Sequence, residues 1–165
     1  RRSKNKETFF TASNDPEATA GQYNTFRTPE GAQYGLLLPD STRVWLNGGT
    51  SVKYPARFSP GSGVTITGEV YVELKAGRDA RTPFHVSAGN TRLTATQGRF
   101  NLKATADSVI VTAIDGDLLL DTASAAPPVL LHSREQAQLT GGQLHTLKDI
   151  DTSKILAWKN NAGKP

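Results

Sequence analysis

Apolar residues recur at every second position through most of this chain, in short runs separated by Gly, Pro, Asp and Ser. A period of two is that of a half-buried β-strand, so the pattern predicts an all-β domain. Its clearest stretch is VTITGEVYVEL at residues 64–74, where Val70, Val72 and Leu74 share one face and Glu69, Tyr71 and Glu73 the other. Gly68 in the middle marks a bulge or a close backbone approach. Upstream, the apolar run at 34–38 stops at Pro39, Asp40 and Ser41, and TRVWLN at 42–47 ends at Gly48 and Gly49, which reads as strand, turn, strand. In TRVWLN, Val44 and Leu46 share one face and Arg43 and Trp45 the other; either can be the buried one, although Trp45 is costly to leave in water.

Further strands are expected at residues 82–87, 91–95, 98–104, 108–113, 118–121, 129–132, 136–139 and 143–147. LLLPDSTRVWLN, VTITGEVYVEL, LTATQGRFNLKA, VTAIDGDLLLD and VLLHSREQAQL line up as a loose, irregularly spaced repeat. Two architectures fit such units: a twisted β-sandwich or a short β-solenoid-like stack of strand-turn-strand units. The period switches at DIDTSKILAWK, residues 149–159, where Asp151, Thr152 or Ser153 can cap a short helix in which Ile155 and Trp158 are three apart.

The first 22 residues carry only Phe9 and Phe10 as apolar mass, and read as a flexible or loosely docked lead-in. Part of the net charge of +4 comes from Arg1, Arg2, Lys4 and Lys6, which resemble a tail. Beyond them both signs alternate, with no basic stripe and no Arg-interleaved aromatics, so direct nucleic-acid binding is not expected. At 165 residues, one domain is the expectation. The absence of Cys excludes disulfides and thiolate chemistry, and the absence of Met, even at position 1, makes a fragment or processed form the expectation. No signal peptide and no run of about 18 apolar residues is present.

Candidate chemistry is sparse. His85, His132 and His145 sit in different strand-like segments without partners at ligand spacing, and no GxSxG elbow occurs. Glu69 and Glu73 share one strand face about 13 Å apart, too far to work together on one glycosidic bond. Asp115-Gly116-Asp117 has the composition of a tight hairpin turn. No catalytic, cofactor-binding or metal-binding residue is assigned. Pro39, Asp40, Gly48, Gly68, Gly98 and Gly116 are read as structural turn residues. Trp45 and Tyr71, each beside a charged residue, could serve as an aromatic platform for a sugar or a partner, although packing is their commoner use.

The segment FRTPEGAQYGLLLPDSTRVWLNGGTSVKYPARF resembles the signature of the FecR family of anti-sigma regulators, whose pattern runs TP.G...L.LPDGT.VWLN..S.L.YP..F. GEVYVEL, TPFHV, GRFNLKA and VTAIDGDLLL follow in order as counterparts of further family blocks, so the resemblance spans residues 25–147. Ser41 stands where the family has a turn Gly, and TQGRF where it has a hydrophobic residue followed by Gly-Thr-Arg-Phe; both are local turn changes.

The resemblance implies an all-β periplasmic domain, non-enzymatic and without cofactors, from a parent anchored in the inner membrane by one helix that is absent here. Residues 1–22 would be a juxtamembrane stalk, 23–148 the FecR-like β domain, and 149–165 the junction to a following small domain. The implied function is to relay the state of a TonB-dependent outer-membrane transducer, read through its signalling domain, to an extracytoplasmic-function sigma factor held by the parent's cytoplasmic segment. Such a domain would present a sheet surface or an open strand edge, and Arg43, Trp45, Glu69, Tyr71 and Glu73 are the expected contact row. The alternative from a different class is a carbohydrate-binding module using Trp45 and Tyr71.

Overall fold

A computed structural model describes residues 9–123 and 125–161, so the basic cluster at positions 1 to 6 and the chain end from 162 lie outside the described residues. The fold is organised by one long strand, β6 (Gly63–Glu73), which belongs to two sheet wings at once. Its first half pairs antiparallel with β5 (Ser51–Pro55) and parallel with β7 (Phe84–Ala88). Its second half pairs antiparallel with β4 (Arg43–Leu46) and β9 (Arg99–Ala104). The first wing continues outward through β2 (Tyr23–Arg27) on one side, and through β8 (Thr91–Ala95), β11 (Leu118–Thr122) and β12 (Ala125–Leu131) on the other. The second runs from β1 (Phe9–Thr11) and β3 (Tyr34–Leu37) through β4, β6 and β9 to β10 (Ser108–Asp115), β13 (Gln136–Thr140) and β14 (Gln143–Leu147).

The hand-over between wings falls at Gly68. Its φ is +104°, a conformation open to Gly and strained for other residues, and a Cβ there would lie 2.5 Å from Thr50 Oγ1 and 2.7 Å from Thr50 Cα. Thr50 Oγ1 accepts a hydrogen bond from Glu69 N at 3.0 Å and donates to Glu69 O at 3.2 Å, so one buried hydroxyl clamps the bend. The sheet thereby curls into a half-barrel. Val44, Leu46, Val52, Ile66, Val70, Val72, Phe84, Val86, Leu93, Leu102, Val111 and Leu120, drawn from both wings, form one core. Each such side chain contributes about 1.5–3 kcal/mol on full burial.

The all-β reading with a short C-terminal helix holds, and the wings share one core as the faces of a sandwich do. The strands expected from 34 onward are present within a residue or two, except that β12 begins at Ala125, four residues before the expected start at 129; β1, β2 and β5 lie outside the expected set. β1 and β2 are short strands at wing edges, and every residue of β2 but Phe26 is exposed, so no alternation marks it. The lead-in is docked from Phe9 onward: β1 lies parallel on β3, Ala12 and Ala18 are buried, and Asn14 Oδ1 accepts from Phe58 N at 2.7 Å.

Asp115-Gly116-Asp117 does not close a hairpin, because β10 pairs with β9 and β13 whereas β11 pairs with β8 and β12. It crosses from one wing to the other, with Gly116 at φ +93° packed on Gln97 and Gly98. Asp-Gly composition shows that the chain turns, but does not choose the strand it then pairs with. Helix α1 (Ser153–Asn161) follows the last strand. Asp151 Oδ1 accepts from Ser153 N at 3.0 Å, a cap-type bond that holds the Asp151 carboxyl below its ordinary value. No helix among the described residues is long and apolar enough to cross a membrane.

Candidate functional site

The outer face of the second wing carries the expected contact row, and strand register explains why its members meet. Arg43 is opposite Glu73 and Trp45 opposite Tyr71 across β4 and β6. On the other side of β6, Glu69 faces Lys103, Tyr71 faces Asn101 and Glu73 faces Arg99. Outward-pointing residues on adjacent strands therefore line up as Phe9, Gly35, Trp45, Tyr71, Asn101, Thr112 and Gln136. Gly35 has no side chain because the Phe9 ring lies over it, where a Cβ would sit 2.7 Å from the ring. Phe9 then packs edge-on to Trp45 at 5.2 Å between centroids, and Trp45 edge-on to Tyr71 at 5.5 Å.

The structure brings all five expected residues together but exposes them unequally. Trp45 and Tyr71 are buried beneath α1, whose Ile155, Leu156 and Trp158 pack on them, and Lys159 Nζ lies 4.4 Å from the Trp45 ring centroid. No open aromatic platform is left for a sugar in this arrangement. Burial pushes the Tyr71 phenol above its ordinary pKa, and the Arg99 guanidinium beside it holds back part of the rise.

The charged members mark the two ends of the row. At one end Arg43 Nη1 and Glu73 Oε1 are 3.4 Å apart, and Arg99 pairs with Asp115 at 3.5 Å, both around an open cleft of about 790 Å³. At the other, Glu69 accepts from Asn47 Nδ2 and Asn101 Nδ2, both at 3.0 Å, and Gln33 Nε2 donates to Asn47 Oδ1 at 2.8 Å. Gln33, Asn47, Glu69 and Lys103 line a second cleft of about 470 Å³. Side-chain amides and paired charges at an open surface suit polar recognition of another macromolecule. Sequence reasoning missed Asn101, Gln33 and Lys159, since their relation to the row exists only through register and through the docking of α1.

The histidines stay apart. His85 on β7 shares a hydrogen bond with Thr94 Oγ1 at 3.1 Å, His132 pairs with Asp117 at 2.8 Å, and His145 is exposed on β14. Among the described residues no group of three or more His, Cys, Asp and Glu is placed to hold a metal ion. Of the residues read as turn formers, Pro39 and Asp40 sit in the β3–β4 turn, Gly48 follows β4, Gly68 bends β6, and Gly98 abuts the backbone of Asp115.

These features define an all-β domain of one curled sheet whose outer face is strapped by a C-terminal helix. The chain belongs to the FecR protein family, whose profile matches residues 24–119. Two crystal structures from Parabacteroides distasonis, each described as a proposed anti-sigma factor, share the fold. They align with TM-scores of 0.75 and 0.74 at 27% and 26% identity, covering 83% and 82% of this chain. The chain spans 64% of each of those longer proteins. No curated protein matches it.

Proposed function

We propose that this chain is the sensor domain of a FecR-like anti-sigma regulator, working by binding rather than by catalysis. The observation that carries the reading is family membership over residues 24–119, and the anti-sigma description of the structural neighbours supports it. In this reading the domain lies in the periplasm, residues 1–22 lead from a single inner-membrane helix, residues 23–148 are the sensing domain, and residues 149–165 lead to a further small domain. It receives the state of a TonB-dependent outer-membrane transducer through that protein's signalling domain, and the parent's cytoplasmic segment passes it to an extracytoplasmic-function sigma factor. Arg43, Glu69 and Glu73, at the ends of the row, are the members of the expected contact set open to such a partner, with the edge of β14 as a second surface.

A pull-down between the full-length parent and the signalling domain of a transducer encoded beside it is the test. Capture that weakens on charge reversal at Arg43 or Glu73 is expected. Absence of capture under every nutrient condition, with both partners folded, would sink the sensing role.

A further inference from the structure

Burial between α1 and the sheet is one-sided. Trp45 is 2% exposed and Tyr71 0% exposed, whereas α1 has no buried residue of its own. The sheet hides its largest aromatics under a helix that keeps much of its own surface in water. A nine-residue helix has little stability by itself, so α1 persists only through this docking.

The same face collects unmet polar groups. Trp158 Nε1 and Asn101 Oδ1 are buried without hydrogen-bond partners, whereas the Tyr71 hydroxyl has the Arg99 guanidinium beside it. Polar atoms shut away from water without partners disfavour the closed arrangement, and lifting α1 would return those in the seam to water. Among the described residues the tether is also thin. Ahead of the helix, Ile150 N donates to Arg134 O at 3.0 Å, and Asp151 supplies the cap bond. Within the helix Lys159 Nζ sits 4.4 Å from the Trp45 ring and 5.5 Å from that of Tyr71.

We propose that α1 is a releasable strap over a helix-docking surface formed by Phe9, Trp45, Tyr71 and Asn101. The chemistry of the incoming partner is defined by what already fits: an amphipathic helix with apolar or aromatic anchors at the spacing of Ile155, Leu156 and Trp158, the outer two three positions apart, followed by a Lys whose ammonium covers the Trp45 ring. Release of the strap exposes the surface in cis, and a partner helix takes its place. The strap operates whether or not the partner belongs to a sigma-factor pathway.

The chain has two tryptophans, so Trp158→Phe leaves Trp45 as the sole indole. In a urea titration of that variant, Trp45 emission should move to longer wavelength at concentrations where the far-UV β signal is unchanged. In the unsubstituted chain, α1 amides should exchange with deuterium on the order of a hundredfold faster than those of β6. Coincident urea transitions, or α1 amides protected like those of β6, overturn the strap. A Leu156→Ser variant should lift α1, and a labelled peptide of residues 151–161 should then bind it saturably by fluorescence anisotropy. Failure of the peptide to bind a folded variant whose α1 is lifted overturns the docking surface. Should Leu156→Ser fail to fold, the same peptide is titrated into the Trp158→Phe chain at the urea concentration that exposes Trp45, with the same two readings.

Discussion

Arg78 Nη1 donates to Asp40 Oδ2 at 2.7 Å, with the arginine side chain 8% exposed and the aspartate 18%, so the turn between β3 and β4 is held by an ion pair largely withdrawn from water. Asp40 Oδ1 accepts from Thr42 N at 3.0 Å, and Arg78 Nε donates to Thr82 O at 3.0 Å. Removing one partner of such a pair leaves the other charge buried, and Asp40→Ala is expected to cost about 3 kcal/mol. Urea unfolding checks this, and adding Arg78→Met should recover part of the loss. A cost below about 0.5 kcal/mol would place the pair with exposed surface bridges.

Ser41, next in the same turn, has φ +72°. This is the left-handed region, where a side chain costs roughly 1–2 kcal/mol that Gly does not incur, and Gly gives back part of the difference through the entropy of its unfolded state. Ser41→Gly should raise stability by about 0.5–1 kcal/mol, read as a higher urea midpoint at unchanged slope. A drop in midpoint would show that the serine side chain contributes more than its backbone strain costs.

Gly68 is a different case, because space as well as conformation excludes a side chain. A Cβ would meet Thr50 Cα at 2.7 Å, and backbone cannot swing aside as a side chain can. Gly68→Ala should cost about 3 kcal/mol through strain and overpacking together. Because the clash includes the Thr50 main chain, Thr50→Ala should not rescue it. A double variant at wild-type stability would show instead that β6 can pass between the wings without this bend.

The sequence made most strands legible where one face meets the core and the other meets water, as in β6, where Val70 and Val72 alternate with Glu69 and Glu73, although the brief alternation of β5, with Val52 and Tyr54 buried around an exposed Lys53, is framed by Gly and Pro and does not stand out. It hid β2, whose exposed residues carry no such contrast, and β1, whose two Phe residues follow each other. Alternation grouped Trp45 with Arg43, and Tyr71 with Glu69 and Glu73, on one face, and the fold joins them. What the pattern could not carry was the cover on that face. Burial of Trp45 and Tyr71 depends on a helix about 80 residues further along from Tyr71, and a period-two pattern has no register with a distant helix. The wing-to-wing crossing at Gly116 was hidden for a similar reason, since strand pairing is decided by the whole sheet and not by the turn.

Two histidines should titrate on opposite sides of the ordinary value of 6.5, with opposite consequences for stability. The hydrogen bond that Asp117 Oδ1 accepts from the imidazole, followed by the aspartate's charge, raises His132. Burial first, then the charges of Arg92 and Arg78, lowers His85. For His132 the folded state holds its proton more tightly than the unfolded one. Its contribution is therefore fully present below the unfolded pKa and is lost as pH rises through the folded pKa. For His85 the unfolded state binds the proton more tightly, so stability falls as pH drops from about 6.5 toward the folded pKa. The two partly cancel in a global unfolding curve, and separate imidazole resonances in a proton NMR titration are the right measurement. His132 should titrate above His85, and Asp117→Asn should bring His132 down while leaving His85 in place. If His132 titrates at or below His85 in the unsubstituted protein, the 2.8 Å contact with Asp117 does not persist in solution.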